Sequence, residues 1–357
     1  MAKKTAAWPA KEPRNILIRM PNWLGDLVMA APILEDVRKK WPEATITAMC
    51  QANAGVLLEC NPFINEIYRF KKPNGWIHRS QHSTIIETLR RGEYDLGILL
   101  TNSFSSAWWF WRGHVENRIG FACNGRSLLL NKAPPFPKNK ESQHLVLTYK
   151  ALLEPIGIPI STTPPKLYLS PDEKKAAQQL LQSKGYDTNS AILIGINPGA
   201  AFGSAKCWLP DRFHAVAEKL LKDPRITLAF FGDSVGMPLV NEICKGLSSR
   251  AINFAGKTTI RELMALIGSC NVLLTNDSGP MHIASALSVP LVALFGSTSD
   301  VKTGPYSGGT VIHKHADCSP CYQRVCPIDF RCMKQIEAEE VYQAILSRIP
   351  PLLQRKT

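Results

Sequence analysis

Short apolar runs that empty into a polar turn and then a helix recur along this 357-residue chain. One of them limits the fold more than any other feature. Residues 271–287, NVLLTNDSGPMHIASAL, place Val272, Leu273 and Leu274 ahead of Thr275, Asn276, Asp277, Ser278 and Gly279. So short a run bounded by turn residues reads as a buried strand. Ser278 and Gly279 suit a helix N-cap, and Pro280 suits the first helical position, where a missing N–H costs nothing. A helix opening at a strand's C-terminal edge gathers backbone N–H groups and the positive end of its dipole at one point. Such a point binds phosphate well. Asp277 and His282 add a carboxylate and an imidazole beside it. An ordinary turn with Asp277 in an Asx-turn satisfies the same residues, so the rest of the chain must decide.

The rest of the chain repeats the pattern. Residues 15–20 (NILIRM) read as a strand, 21–26 as its turn, and 27–40 as a helix with Leu27, Val28, Ala31, Leu34 and Val37 on one face. The Trp41-Pro42 pair stops it, and 44–50 reads as a second strand. A strand, crossover helix and strand in succession predict a parallel sheet. Further strands are predicted at 65–70, 94–100, 191–196, 226–231, 252–254 and 291–295, with a turn at 73–75 and helices near 83–91, 144–153, 171–184, 210–222, 259–270 and 338–348. The seven prolines between 131 and 165 mark a domain boundary, and 357 residues exceed the usual single core.

Three turns at predicted strand ends carry chemistry, because open α/β sheets bind ligands outside the C-terminal ends of their strands. The first holds Gly25 and Asp26; Asp26 reads either as a helix cap or as a proton acceptor. The second holds Asn102 and Ser103. The third, 197–206, is rich in small residues that let backbone approach a ligand, and ends in Lys206. Neither G-x-G-x-x-G nor the Walker sequence is present, which disfavours a nicotinamide enzyme and a P-loop.

Charge narrows the partners. Of the net +13, a surplus of 8 falls within residues 1–165, which suits polyanions such as phosphorylated substrates or anionic lipid. No RNP-like motif or finger spacing selects nucleic acid, so none is expected. Arg112, Arg118 and Arg126 are candidates for acceptor phosphates. Trp108, Trp109, Phe110 and Trp111 read as core or as a rim at a bilayer interface. No signal-peptide core or membrane-length apolar run is seen, so a cytoplasmic chain is expected. Cys318, Cys321, Cys326 and Cys332 fit no standard zinc-ribbon spacing; reduced thiols packing a loop are expected, and no metal ligand set is assigned.

Gly25-Asp26, Lys206-Cys207-Trp208 and the run from Asn276 to His282, taken in order, resemble the ADP-heptose:lipopolysaccharide heptosyltransferases of glycosyltransferase family 9. Within that family the likeness is strongest to the enzymes that add the second heptose of the inner core. It runs from residue 15 to about 345 and includes PNWLGDLVMAAPIL, YDLGILLTNSFSSA and CSPCYQRVCPI. The resemblance implies an α/β GT-B architecture, two Rossmann-like, doubly wound domains facing a central cleft. Residues 1–165 would take the acceptor and 166–335 the nucleotide-sugar, with a C-terminal helix and tail, 336–357, packing back on the N-terminal domain.

It further implies an inverting transfer from an ADP-heptose donor to a phosphorylated lipopolysaccharide core, without metal or cofactor, peripheral at the anionic cytoplasmic face of the inner membrane. Asp26 matches the family's general base and Lys206 its diphosphate lysine. Gly25, Asp277, Ser278, Gly279 and His282 match donor-binding positions, and Asp233 falls near an acidic residue at the ribose. Asn102, Ser103, Arg118 and Arg126 would meet the acceptor. Ala200, Ala201 and Phe202 depart from the pattern, since related enzymes carry hydroxyl residues there. Heptosyltransferase I activity, another GT-B enzyme such as a nucleotide-sugar epimerase, and a non-catalytic sugar-nucleotide binder are the competing readings.

Overall fold

The run after Asn15 forms β1 (Asn15–Arg19), the middle strand of a parallel sheet whose order is β3-β2-β1-β4-β5. Its neighbours are β2 (Thr45–Gln51), β3 (Glu66–Phe70), β4 (Leu96–Leu99) and β5 (Asn117–Gly120). Ile16 stands level with Ile46 on one side and Leu96 on the other. Helices cover both faces, so the central strands are apolar without alternation; all four residues of β4 are buried. The computed structural model describes residues 8–73, 79–187 and 192–349. Positions 74 and 75 of the predicted turn, 191 of a predicted strand and 350–357 of the tail lie outside them.

One predicted helix is two. The segment read as 27–40 divides into Leu24–Ala30 and Pro32–Lys40. Pro32 has no N–H to continue the ladder, so the second helix restarts with Pro32 in its first turn. The buried Arg19 holds the turn that precedes the first helix. Its guanidinium donates to the Met20 carbonyl and to Asn22 Oδ1, the latter at 2.5 Å, and lies 4.7 Å from the centre of the Phe70 ring.

The second sheet has the order β11-β10-β9-β6-β7-β8, all parallel. Its strands are β6 (Ile192–Asn197), β7 (Ile226–Phe230), β8 (Ala251–Asn253), β9 (Val272–Asn276), β10 (Leu291–Phe295) and β11 (Thr310–His313). β11 was not read from the sequence: four residues after Gly308-Gly309 carry too little pattern.

The chain divides into two compact units, Met1–Tyr168 and Leu169–Thr357. The proline-rich stretch is strapped to the first. Buried Asp36 accepts hydrogen bonds from Ser161 and Thr163, and buried Lys150 donates to the carbonyls of the same two residues. The C-terminal helix, Ala338–Arg348, is part of the second unit: Val341 and Ile345 are fully buried in its core cluster. Lys219 pairs with Glu339 and Lys314 with Glu340, while the Ile336 carbonyl accepts from Trp208 Nε1. The apolar stripe of this helix is taken up by helix Pro210–Leu220 and β10.

Candidate active site

In the second sheet the chain runs from β6 outward through β7 and β8, then returns to the middle and runs the other way through β9, β10 and β11. The segments leaving the adjacent strands β6 and β9 therefore diverge, which opens a crevice at their C-terminal ends. Two buried asparagines, the last residues of these strands, shape it. Asn197 Nδ2 donates to Ser278 Oγ (3.2 Å), Thr275 Oγ1 (3.3 Å) and the Gly199 carbonyl (3.1 Å). Asn276 Nδ2 donates to the Pro198 carbonyl at 2.6 Å, and its Oδ1 accepts from the Trp208 backbone at 3.1 Å. Each clamp ties the loop after β6 to the turn after β9.

The buried Trp208 anchors that loop, and Lys206, two residues before it, is carried to Asp277. Lys206 Nζ lies 2.5 Å from Asp277 Oδ2, with side-chain exposures of 14 % and 4 %. Thr298 Oγ1 donates to the same oxygen at 2.6 Å. An ammonium offers three N–H donors, and Asp277 takes one while fixing where the others are carried. The Phe202 ring has two cations near its centre, Lys206 Nζ at 4.9 Å and the Arg324 guanidinium at 5.4 Å. The loop bearing Arg324 presses closely: a Cβ on Gly203 would sit 2.2 Å from the Arg324 carbonyl oxygen, which also accepts from Ala205 N at 3.0 Å. Only glycine fits there.

Helix Gly279–Ala286 starts beside this pair. Ser278 is its N-cap residue, and Pro280 is the second helical residue rather than the first. Ser278 makes no side-chain cap hydrogen bond; its Oγ is turned to Thr275 and Asn197. His282 is buried in the fourth helical position. Asp233 lies in the exposed turn after β7 at the same edge of the sheet, and its Oδ1 accepts from Gly236 N at 2.7 Å.

The first sheet has an equivalent switch between β1 and β4. After β1, Trp23 is the N-cap residue of helix Leu24–Ala30, so Gly25 and Asp26 occupy its second and third positions. Asp26 is thus not the cap. Its charge, after burial, contributes to pushing the Tyr149 phenol well above its usual range. After β4, Ser103 caps helix Phe104–Arg112 by accepting from Ser106 N at 3.3 Å.

Two of the three candidate arginines for acceptor phosphate, Arg118 and Arg126, hydrogen-bond to the chain around them. Arg126 is fully buried and donates to the carbonyls of Phe121 and Thr101 and to Asn102 Oδ1 (3.2 Å). Arg118 donates to the carbonyls of Leu129, Val115 and Glu116. Both brace the backbone around β5, because long cationic side chains are as good at satisfying carbonyls as at meeting anions. The aromatic run divides as well. Trp109 and Phe110 are core, with Trp109 Nε1 donating to His82 Nδ1 at 2.8 Å, whereas Trp111 is 46 % exposed.

Sequence reasoning missed several groups here. Asn197, Asn276, Thr298 and Arg324 act through contacts far apart in the chain, and no spacing announces them. Trp23 and Phe104, exposed at the two strand-end turns of the first unit, were legible only once β1 and β4 were known to be neighbours.

Comparison with known proteins agrees with the fold. Residues 83–330 match the model of glycosyltransferase family 9 (heptosyltransferase). The chain is 31 % identical over 310 residues to lipooligosaccharide heptosyltransferase 2 of Haemophilus influenzae, covering 84 % of this chain and 88 % of that protein. It is 27 % identical over 292 residues to an Escherichia coli lipopolysaccharide heptosyltransferase 3, covering 80 % and 85 %. The structure of the E. coli ADP-heptose lipopolysaccharide heptosyltransferase II superposes with a TM-score of 0.78 at 27 % identity, over 96 % of this chain and all of that one. With two parallel α/β sheets of the GT-B class and a family match over most of its length, the chain belongs to glycosyltransferase family 9, the heptosyltransferases.

Proposed function

We propose that the protein transfers a heptose from ADP-heptose to the heptosylated Kdo–lipid A inner core, the second heptose addition of lipopolysaccharide synthesis. The observation that carries this reading is the Lys206–Asp277 pair at the crevice between β6 and β9, beside the start of helix Gly279–Ala286. A leaving diphosphate needs positive charge placed before the bond breaks. Lys206 and the first-turn N–H groups supply it, with Asp277 holding the lysine in place. Asp233 takes the ribose, and His282 supports the turn from within the helix. Asp26 receives the proton of the acceptor hydroxyl as that oxygen attacks the anomeric carbon. The bond from that carbon to the β-phosphate oxygen breaks, ADP leaves, and the configuration inverts. No step in this scheme is assigned to a metal.

The greater identity to a heptosyltransferase 2 than to a heptosyltransferase 3 favours the second-heptose acceptor. No described helix is long and apolar enough to cross a membrane; the basic first half and exposed Trp111 suit peripheral attachment to the anionic cytoplasmic face of the inner membrane. Mass spectrometry of lipid acceptors carrying zero, one or two heptoses, after incubation with ADP-heptose, tests the assignment. A gain of one heptose on the mono-heptosylated acceptor is expected. A gain only on another acceptor would move the protein to a different member activity, and donor consumption with no gain at all would point to an epimerase or hydrolase.

A further inference from the structure

Asp300, His313 and His315 each bring one ligand atom within 4.8 Å of the other two. They come from separate places: Asp300 opens helix Asp300–Thr303, His313 ends β11, and His315 is the second residue of a stretch, 314–330, that has neither helix nor strand. The hydrogen bonds around His313 fix its protons. Ser319 Oγ donates to the Gly296 carbonyl, which can only accept. The 2.8 Å contact between Ser319 Oγ and His313 Nε2 must then be donated by Nε2. Nδ1 is left facing Asp300 Oδ1 at 3.0 Å. In the neutral ring with its proton on Nε2, two lone pairs oppose each other across that gap, an arrangement that a positive species bound by both atoms relieves.

That species is either a proton or a metal ion, and His315 separates the two. Its ring centre lies 4.1 Å from that of His313. A His–Asp hydrogen bond needs only two residues, whereas two imidazoles and a carboxylate converging on one point are a borderline-metal ligand set. The Nε2–H bond to Ser319 is then the outer hydrogen bond that orients a metal-bound histidine. His313 is almost fully buried on its side chain and His315 is exposed, so the point is walled on one side and open to entry on the other. We propose that these three residues bind one divalent transition-metal ion of the zinc type, with water in the remaining position. It fastens the 314–330 segment, whose Arg324 carbonyl packs on Gly203 and Ala205 beside Lys206. The transfer chemistry does not pass through it.

The test is calorimetric titration of the full chain, freed of metal by a chelator, with ZnCl2. The four nearby cysteines are the rival ligands, since Cys332 lies within electrostatic reach of Cys318, Cys326 and Cys321. One zinc per chain is expected, and His315→Ala, at an exposed position, should weaken it at least about tenfold. Ser319→Ala should cost about 10–100-fold through the lost orienting bond, and Cys321→Ser with Cys326→Ser should leave binding intact. Cobalt in place of zinc should give d–d bands without the intense ultraviolet band of thiolate ligation. No zinc uptake by the wild type, which would leave a proton in the gap, overturns the proposal. So does unchanged affinity in His315→Ala, or a thiolate band with cobalt.

Discussion

Replacing Lys206 by methionine should damage stability and donor binding by separable amounts. Asp277 is 4 % exposed on its side chain, and without Lys206 its carboxylate keeps only the hydroxyl of Thr298 among its described side-chain partners. Stranding one member of a buried pair costs about 3–5 kcal/mol. Lys206 also carries the donors that the account assigns to the diphosphate, and a charge-assisted hydrogen bond is worth about 1.5–3 kcal/mol, or about ten- to a hundredfold in affinity. Adding Asp277→Asn removes the stranded charge, so the double variant should regain most of the lost stability. It should not regain affinity for ADP. Denaturant unfolding and calorimetric titration with ADP, run on both single variants and the double, complete the cycle. An unchanged ADP affinity in Lys206→Met, or recovered affinity in the double variant, would refute the diphosphate role and leave the pair as a structural clamp.

Two further outcomes follow from other parts of the molecule. Arg261, 2.5 Å from Glu173, holds that carboxyl at about 2, with the Ser170 backbone assisting. Since the folded value is depressed, the pair stabilises fully above pH 4.5 and its contribution fades as pH falls toward 2. Arg261→Met should therefore lose about 2–3 kcal/mol at pH 7, after allowance for partial solvent exposure, and its unfolding free energy should approach wild type as pH falls from 4.5 toward 2; a gap independent of pH would contradict the assignment. Leu128, 96 % exposed, sits on the turn Arg126–Leu129, which packs against helix Phe104–Arg112 with its exposed Phe104 and Trp111. If this face meets lipid, Leu128→Glu should reduce sedimentation with anionic vesicles several-fold, and added salt should release the wild type; equal binding by both proteins would remove the patch from the interface.

What could be read from the chain was what local chemistry writes into it. The apolar runs before Pro21, Thr101, Pro198 and Asp277 mark strands because nothing else buries so many branched residues in so short a span, and the turns that follow them fall at the switch points. Pro32 was visible but was weighed below the apolar periodicity around it, and so one helix was read where two stand. Charge alone marks Arg118 and Arg126 in the sequence, but the guanidiniums of half-buried Arg118 and fully buried Arg126 donate to backbone carbonyls and act as braces. The Lys206–Asp277 pair spans 71 residues and the His313–Asp300 contact joins a strand end to a helix start. Such long-range contacts depend on strand order, which periodicity does not encode.

The account stands or falls on Asp26. Because Trp23 occupies the cap position, Asp26→Asn leaves the cap and the size of the side chain as they are, while it removes the carboxylate's charge and its ability to take a proton. Turnover with ADP-heptose and the mono-heptosylated lipid acceptor should fall by about 10²–10⁴-fold, the usual contribution of a positioned general base, while ADP affinity and thermal stability stay near those of the wild type. Turnover within a few-fold of wild type would contradict the assignment and require the proton acceptor to be found in another residue.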